Sequence, residues 1–285
     1  MNSIKKIGVI GAGQMGRGIA QVAAQSGYQV QLFDISSAGL TQAQGFIEKQ
    51  LARSVEKAKI TEQDMKQAIG RLAYESKLLN LADCDLLIEA ATENKTIKFE
   101  LFRELDKMAK PTAILASNTS SISITELAAQ TKRPAQVAGM HFMNPVPVMK
   151  LVEGIRGLET SAEVFTTVEE VAKTMGKVFV KAEDVPGFAV NRILMPMINE
   201  AVYALYEGVA SVEDIDLAMK LGTNQPMGPL QLADFIGLDT CLAIMEVLHD
   251  GLGDTKYRPC PLLKKYVLAG RLGVKSGRGF HQYNS

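Results

Sequence analysis

The chain contains 285 residues, of which 47% are hydrophobic and 22% are charged, and its formal net charge at pH 7 is zero. This length exceeds the usual size of a single hydrophobic core, so we expect two domains. A neutral chain has no overall field that would recruit nucleic acid or an anionic membrane surface. The three cysteines lie far apart, which argues against a disulfide framework or a thiolate metal site. No apolar run approaches the roughly 20 residues of a transmembrane helix. We therefore expect a cytoplasmic protein without a bound metal.

Short apolar strands alternate with helical segments in the first part of the chain. A strand at 4–10 leads through a glycine turn into a helix closed by Gly27, and a second strand, YQVQLFD, follows. This order predicts a parallel, right-handed βαβ unit. Residues 38–72 predict a helical hairpin inserted into the alternation. Further strands are predicted at 85–90, 113–118, 136–142, 151–157 and 177–183, with helices at 95–109, 121–130 and 161–176.

The pattern changes at AEDVPG, residues 182–187. Beyond this point we predict only helices, at 188–207, 211–221, 229–248 and 261–270. The expected fold is therefore an α/β domain at 1–184, with a doubly wound sheet and the inserted hairpin, followed by an all-α domain at 185–285.

The segment GAGQMG, between the first strand and the first helix, has GxGxxG spacing. Gly11 permits a tight turn, Gly13 lets a pyrophosphate approach the backbone, and Gly16 lets the helix pack closely on the strand. Gln14 and Met15 begin the helix, whose N-terminus offers N–H groups and a partial positive charge to phosphates. The segment therefore predicts a Rossmann dinucleotide-binding domain.

Asp34 ends the second predicted strand and indicates which dinucleotide binds. A carboxylate at this position can accept hydrogen bonds from the adenine ribose and repels a 2′-phosphate. The alternative is that Asp34 caps the helix that begins just after Ile35. No arginine follows closely enough to form a phosphate pocket, so we expect NAD rather than NADP.

His141 is one of only three histidines and lies at the end of the strand QVAGMHF. An imidazole titrates near neutrality, which suits proton transfer between an alcohol and a ketone. Glu153 can accept a hydrogen bond from the second ring nitrogen and stabilise the imidazolium. The residues alone leave open a structural histidine and a solvated glutamate. We expect His249 to be a charge or cap at a helix end and His281 to be solvated in the tail.

Seven segments spread along the chain carry a further signal: IGVIGAGQMGRGIA, DLLIEAATEN, ILASNTSSISIT, GMHFMNPVPVMKLVE, PGFAVNRILMPMINEA, LGTNQPMGPLQLADFIGLD and KSGRGF. Together they resemble the short, single-function 3-hydroxyacyl-CoA dehydrogenases, most closely the bacterial 3-hydroxybutyryl-CoA dehydrogenases. The likeness covers essentially the whole chain and is far more specific than the glycine segment alone. It implies NAD as cofactor and an acyl-CoA as substrate.

The resemblance also assigns roles to individual positions. It makes His141 the catalytic base and Glu153 its orienting partner, and it places Ser120 near both substrate and nicotinamide and Asn191 near the reacting acyl group. The implied cofactor contacts are Glu93, Lys98, Asn144 and, more weakly, Lys275. The chain departs from the family pattern at Met143, where HFFNP is more usual, and at His281, which replaces an aromatic residue of the tail. Met143 is expected to reshape the acyl pocket slightly, and His281 weakens the assignment of Lys275.

Coenzyme A carries phosphates, which need cations outside the nicotinamide cleft. The inserted hairpin supplies Arg53, Lys57 and Lys59, and the resemblance implies that coenzyme A lies near them. A solvated helix face is the alternative for each of these residues. The resemblance also implies that the helical domain closes the cleft over the acyl-CoA.

The helix predicted at 188–207 is apolar at almost every angle, so it must be buried on almost every side. The helical domain is small, and a second subunit would supply the missing cover. We therefore expect a homodimer formed through this domain, as the resemblance also implies.

The expected activity is the NAD-dependent interconversion of an (S)-3-hydroxyacyl-CoA, such as 3-hydroxybutyryl-CoA, and the 3-ketoacyl-CoA by hydride transfer. One alternative is an NAD-linked dehydrogenase of a free hydroxy or sugar acid on the same two-domain plan. Another is a non-enzymic, crystallin-like dinucleotide-binding protein. The joint presence of His141, Glu153, Ser120 and Asn191 argues against this last alternative, because a structural role needs none of them.

Overall fold

The computed structural model describes residues 4–283, which form two compact units, one up to Asp184 and one from Val185 onward. The first unit contains an eight-stranded sheet. Its strands are β1 (Lys6–Ile10), β2 (Gln29–Phe33), β3 (Leu72–Glu75), β4 (Leu86–Glu89), β5 (Ile114–Ser117), β6 (Val137–Phe142), β7 (Leu151–Arg156) and β8 (Val178–Glu183). Its helices are α1 (Gln14–Gln25), α2 (Ser37–Glu56), α3 (Glu62–Gly70), α4 (Lys95–Met108), α5 (Ile124–Ala128) and α6 (Ala162–Thr174).

The strand order is β3-β2-β1-β4-β5-β6-β7-β8, and neighbours are parallel except for β6 and β7, which are antiparallel. The expected α/β class with a Rossmann sheet is confirmed. Strands β4, β5 and β6 are buried at every position, as expected where both faces of a parallel sheet are covered. The carboxyl ends of β1, β2, β4, β5 and β6 share one edge, which brings the loops that follow them together.

The predicted helical hairpin is confirmed as α2 and α3. Ser36 caps α2 by accepting from the amide of Gly39, and Thr61 and Asp64 form a capping box at α3. The hairpin ends earlier than predicted, because residues 72–75 form β3, which pairs in parallel with β2. This strand was missed because it is four residues long, is only partly buried, and follows a helix directly.

The second unit is helical, as expected. Its helices are α7 (Val190–Tyr206), α8 (Val212–Gly222), α9 (Pro229–Ile236), α10 (Leu238–Leu252) and α11 (Pro261–Leu268). The single helix predicted at 229–248 is wrong: Gly237 has φ of +101° and separates α9 from α10. A residue with this φ cannot continue an α-helix, and glycine adopts it without steric cost.

The core of the second unit is formed by the inward-facing side chains of all five helices. It includes Met195, Leu230, Cys241 and Leu263. His249 lies in the last turn of α10, as predicted. Within residues 4–283, no helix combines the length and hydrophobicity needed to cross a bilayer.

Candidate active site

Glycine is required at one position of the turn between β1 and α1 and at one position of the first turn of α1. Gly11 has φ of +103°, and a Cβ there would press on the carbonyl oxygen of Ala90. A Cβ at Gly16 would clash with the carbonyl oxygen of Gly11. By contrast, the position of a Cβ at Gly13 faces open space. Gly13 is the N-cap of α1 and has no side chain, so a phosphate can approach the helix N-terminus, which Gln14 begins.

Asp34 lies beside this turn. Its carboxylate accepts from the amide of Ala12 at 2.7 Å and from the amide of Ser36 at 2.8 Å. Ser36 rather than Asp34 caps α2, so the alternative interpretation of Asp34 as a helix cap is wrong. Asp34 lines a cleft of about 480 Å³ together with Gly11 and Gly13. The open glycine turn and the carboxylate on one cleft fit the pyrophosphate and adenosine ribose of a dinucleotide.

The antiparallel pairing of β6 and β7 sets His141 directly opposite Glu153. Opposed residues in an antiparallel pair project to the same face of the sheet, and here Nδ1 of His141 lies 2.8 Å from Oε2 of Glu153. With Glu153 ionised, its carboxylate can only accept, and Nδ1 of His141 is then the donor in this contact. His141 is 8% exposed and Glu153 is fully buried. The pair can therefore hold one imidazole tautomer and stabilise its protonated form.

Ser120 follows β5 and is held by Glu93, which follows β4. The amide and the hydroxyl of Ser120 donate to Oε1 of Glu93 at 2.9 and 3.2 Å. Lys98 of α4 lies with its Nζ 3.4 Å from Oε2 of Glu93. Burial alone would raise the pKa of Glu93, but the Lys98 ammonium and several hydrogen-bond donors together hold it below its ordinary value. Three of the predicted site residues are thus brought together.

Glu89, at the end of β4, was missed by the sequence reasoning. It is fully buried, and its carboxylate pairs with the Lys98 ammonium. The signal in the sequence was the glutamate that ends the apolar strand DLLIEA. A strand buried on both faces rarely contains a charged residue unless that residue is paired.

Asn144 is exposed in the loop that follows β6. Lys177, which was also missed, fixes this loop by donating from Nζ to the carbonyls of Val146 at 2.5 Å and Met149 at 2.8 Å. Burial lowers the pKa of Lys177. No sequence pattern indicated this role, because the carbonyls it contacts lie in an irregular loop.

Arg53 and Lys57 are exposed, in the last turn and at the C-cap of α2, and Lys59 is exposed just beyond. Exposure is compatible both with phosphate binding and with a solvated helix face.

In the second unit, Asn191 is buried in the first turn of α7. Lys275 donates to Asp239 at 2.7 Å. Among residues 4–283, no group of three or more His, Cys, Asp or Glu side chains is arranged to hold a metal ion.

The expectation that His281 is solvated is wrong. Its Nε2 lies 2.7 Å from Oδ2 of Asp216, and its side chain is 24% exposed. The tail bends back onto α8, so residues distant in sequence become neighbours, which no local pattern reports.

The fold and the open glycine turn with its carboxylate define a dinucleotide-binding Rossmann protein. Residues 6–185 match the sequence model described as 3-hydroxyacyl-CoA dehydrogenase, NAD binding domain, and residues 187–283 match the model of the C-terminal domain of the same enzymes. The chain therefore belongs to the 3-hydroxyacyl-CoA dehydrogenase family, and the resemblance inferred from its motifs is confirmed.

Individual relatives extend this similarity over the whole chain. The 3-hydroxybutyryl-CoA dehydrogenase of Bradyrhizobium diazoefficiens is 58% identical, with 98% of this chain and 96% of the relative aligned. The crystal structure of (S)-3-hydroxybutyryl-CoA dehydrogenase from Ralstonia eutropha is 49% identical, with a TM-score of 0.97 over 99% of this chain and 100% of that chain.

Proposed function

We propose that this protein interconverts (S)-3-hydroxybutyryl-CoA and acetoacetyl-CoA in the cytoplasm, with NAD as the hydride carrier. The observation that carries the proposal is the buried pair of His141 and Glu153. The pair lies at the carboxyl end of β6, on the same side of the sheet as the glycine turn after β1. Relatives that share about half or more of the residues over almost their full length are named for this reaction. The free thiols of Cys84, Cys241 and Cys260 support a reducing compartment.

The proposed chemistry uses His141 as the proton carrier. When bound, NAD supplies the acceptor for the hydride that leaves C3 of the substrate. Nδ1 of His141 is engaged with Glu153, so Nε2 is the nitrogen that takes the 3-hydroxyl proton in oxidation and returns it to the alkoxide in reduction. The charge of Glu153 stabilises the imidazolium, and its burial strengthens this interaction because the local dielectric constant is low.

The remaining predicted residues position the two ligands. Ser120 and Asn191 hold the substrate oxygens, and Asn144 lies near the nicotinamide. Glu93 and Lys98 are the other proposed contacts of NAD, with Lys275 as a weaker candidate. Because Asp34 lies on the cleft beside the glycine turn, it selects NAD over NADP by repelling a 2′-phosphate.

The cations of the inserted hairpin, Arg53, Lys57 and Lys59, bind the phosphates of coenzyme A in this proposal. They are exposed and close in sequence at the end of α2. Reversing the charge of Arg53 and Lys57 together should raise KM for acetoacetyl-CoA and leave KM for NADH unchanged.

The decisive experiment is an NADH-consumption assay with acetoacetyl-CoA, longer 3-ketoacyl-CoA esters and free 3-keto acids. Turnover of acetoacetyl-CoA is expected. Turnover of free keto acids alone would select the alternative enzyme class, and NADH binding without turnover of any of these compounds would select the non-enzymic alternative.

We also propose a homodimer formed through the second unit. Ile193 of α7 is 72% exposed, and Leu217 and Leu221 of α8 are 51% and 77% exposed. The structure thus leaves large apolar side chains of these helices uncovered, and a second copy of the unit would cover them.

Light scattering after size exclusion measures the dimer directly. The chain mass is 30.9 kDa, and a particle of twice that mass is expected. Replacing Ile193 and Leu221 by glutamate should give the monomer mass. The matched control is Leu158→Glu in the first unit, which alters an equally exposed leucine and should leave the dimer intact. A wild-type particle of the monomer mass would contradict the proposal.

A further inference from the structure

A buried ion pair joins the end of β4 to α4. Nζ of Lys98 lies 2.6 Å from each carboxylate oxygen of Glu89. Lys98 is 1% exposed and Glu89 is fully buried. Charges this deeply buried are stable only when they remain paired, because neither can recover its hydration.

The Glu89 carboxylate also accepts hydrogen bonds from the start of the loop after β4 and from the last residue of β5. It accepts from the amide of Ala91 at 2.8 Å, where the loop after β4 begins. It accepts from the hydroxyl of Ser117 at 2.6 Å, where β5 ends. Ser117 in turn accepts from the amide of Thr119 at 3.1 Å. One carboxylate thus anchors both the loop that carries Glu93 and the loop that carries Ser120.

The two loops meet at Glu93. Its Oε1 accepts from the hydroxyls of Thr119 at 2.6 Å and Ser121 at 3.1 Å, in addition to both donors of Ser120. Lys98 is closer to Glu89, at 2.6 Å, than to Glu93, at 3.4 Å. The contact of Lys98 with Glu93 is to Oε2, so Oε1 remains the acceptor that fixes Ser120.

Removing the charge of Glu89 would change this division. Lys98 would keep a buried ammonium whose nearest remaining carboxylate is Glu93. The attraction between close charges in a low dielectric is strong, so Lys98 would move closer to Glu93, whose Oε2 it already contacts, and would displace the carboxylate whose Oε1 holds Ser120. The backbone of both loops would lose an anchor at the same time.

We propose that Glu89 is a positioning residue for catalysis: it fixes the Lys98 ammonium on the Oε2 side of Glu93 and thereby leaves Oε1 to hold the Ser120 loop. This inference rests on the proposed function, in which Ser120 contacts the substrate. It differs from a purely structural role, because Glu89 then acts on the rate through Ser120 and not through the stability of the fold alone.

A double-mutant cycle tests the connection. Glu89→Gln, Ser120→Ala and the double variant are compared for kcat with acetoacetyl-CoA, KM for NADH, and Tm. Displacing a contact residue by about an ångström commonly costs up to about a hundredfold in rate, so Glu89→Gln is expected to lower kcat about ten- to a hundredfold. In the Ser120→Ala background the same change should lower kcat less than about threefold, since residues that act as a unit are not additive.

Asp106→Asn is the matched control. Asp106 pairs with Arg133 at 2.8 Å, also at a largely buried position of the first unit, and also accepts a backbone amide. This change should lower Tm and leave kcat unchanged in either background. Equal effects of Glu89→Gln with and without Ser120, or a wild-type kcat for Glu89→Gln, would overturn the proposal.

If Glu89→Gln does not fold by circular dichroism, Ser117→Ala tests the same connection. It removes one donor to Glu89 and the acceptor of the Thr119 amide, and it creates no unpaired charge. A fall in kcat that disappears in the Ser120→Ala background supports the proposal, and a fall that persists overturns it.

If the wild type reduces free keto acids but not acetoacetyl-CoA, the proposed substrate is wrong, and the double-mutant cycle is then measured with the keto acid that is reduced. A wild type without any dehydrogenase activity would overturn both proposals.

Discussion

Two histidine–carboxylate contacts of almost equal length lie in the two units. In the first unit, Nδ1 of His141 is 2.8 Å from Glu153, and in the second, Nε2 of His281 is 2.7 Å from Asp216. The first pair lies on neighbouring strands whose register sets the two residues opposite each other. The second pair forms because the tail returns to α8 across 65 positions of sequence.

The surroundings of the second pair are those of a structural contact. The Asp216 carboxylate accepts from the amides of Leu230 and Gln231 at 2.8 and 3.0 Å, in the first turn of α9. Asp216 therefore caps a helix as well as binding His281. A carboxylate near a helix N-terminus stabilises the helix dipole in addition.

Asp234 is a second buried carboxylate that binds the same tail. It accepts from the amides of Phe280 at 2.9 Å and His281 at 2.8 Å, and from the hydroxyl of Tyr283 at 3.1 Å. Burial raises the pKa of Asp234, although these donors oppose the shift. We call Asp216, Asp234 and His281 the tail clasp. The comparison shows that a short histidine–carboxylate distance does not by itself identify a catalytic pair, whereas a position on the dinucleotide edge of the sheet favours one.

The largest expected difference between the two pairs is in rate. His141→Ala should lower kcat about 10²- to 10⁴-fold, because a positioned general base is lost, while the Kd of NADH stays close to that of the wild type. His281→Ala should leave kcat within about threefold of the wild type, since the tail clasp takes no part in proton transfer. Stopped-flow rates with acetoacetyl-CoA and fluorescence titration of NADH provide the two measurements. A His141→Ala variant with more than about a tenth of the wild-type kcat would remove this residue from its role.

The two carboxylates sharpen the comparison. Glu153→Gln should lower kcat nearly as much as His141→Ala, because a neutral amide cannot stabilise the imidazolium and favours the wrong tautomer. The variant that carries both changes should be no slower than His141→Ala alone. Asp216→Asn should instead lower Tm and preserve kcat. Additive rate losses at His141 and Glu153 would show that the two residues do not act as a unit.

The sheet edge also contains a specificity determinant, for which the tail clasp has no counterpart. The wild type should prefer NADH to NADPH by at least ~1–2 kcal/mol in kcat/KM, because the Asp34 carboxylate repels a 2′-phosphate. Asp34→Ser should reduce this preference in kcat/KM, mainly by weakening the binding of NADH. The kcat at saturating NADH should change little. The measurement is kcat/KM for both cofactors in both proteins. Equal wild-type values would contradict the assignment of Asp34.

The sequence predicted the regions of the first unit that follow simple periodicity. The glycine turn of β1 and α1 and the buried strands β4 to β6 could be recognised because parallel strands are short, apolar and bounded by turns. Helix boundaries were harder where a special backbone conformation intervenes, as at Gly237. Strand β3 gave too short a pattern to be distinguished from the end of the preceding helix.

The site was predicted only as far as individual residues. His141 and Glu153 could be named, but their direct opposition depends on the antiparallel register of β6 and β7, which sequence spacing does not determine. Glu89 was missed because its partner, Lys98, lies on α4 and its second partner, Ser117, lies on β5. His281 was misjudged for the same reason, since Asp216 is distant in the chain. Contacts between elements depend on topology, and local propensity does not report them.

The smallest expected effect belongs to His281 itself. His281→Phe restores an aromatic residue of the kind usual in the family tail and removes the hydrogen bond to Asp216. Asp216 keeps its two amide donors, so no buried acceptor is left unsatisfied, and the loss should be about 1 kcal/mol. For a protein of this size such a loss lowers Tm by roughly 2–4 °C. Differential scanning calorimetry and the acetoacetyl-CoA assay test this together: a lower Tm with an unchanged kcat is expected, and an unchanged Tm with a reduced kcat would place His281 in the active site and abolish the distinction between the two pairs.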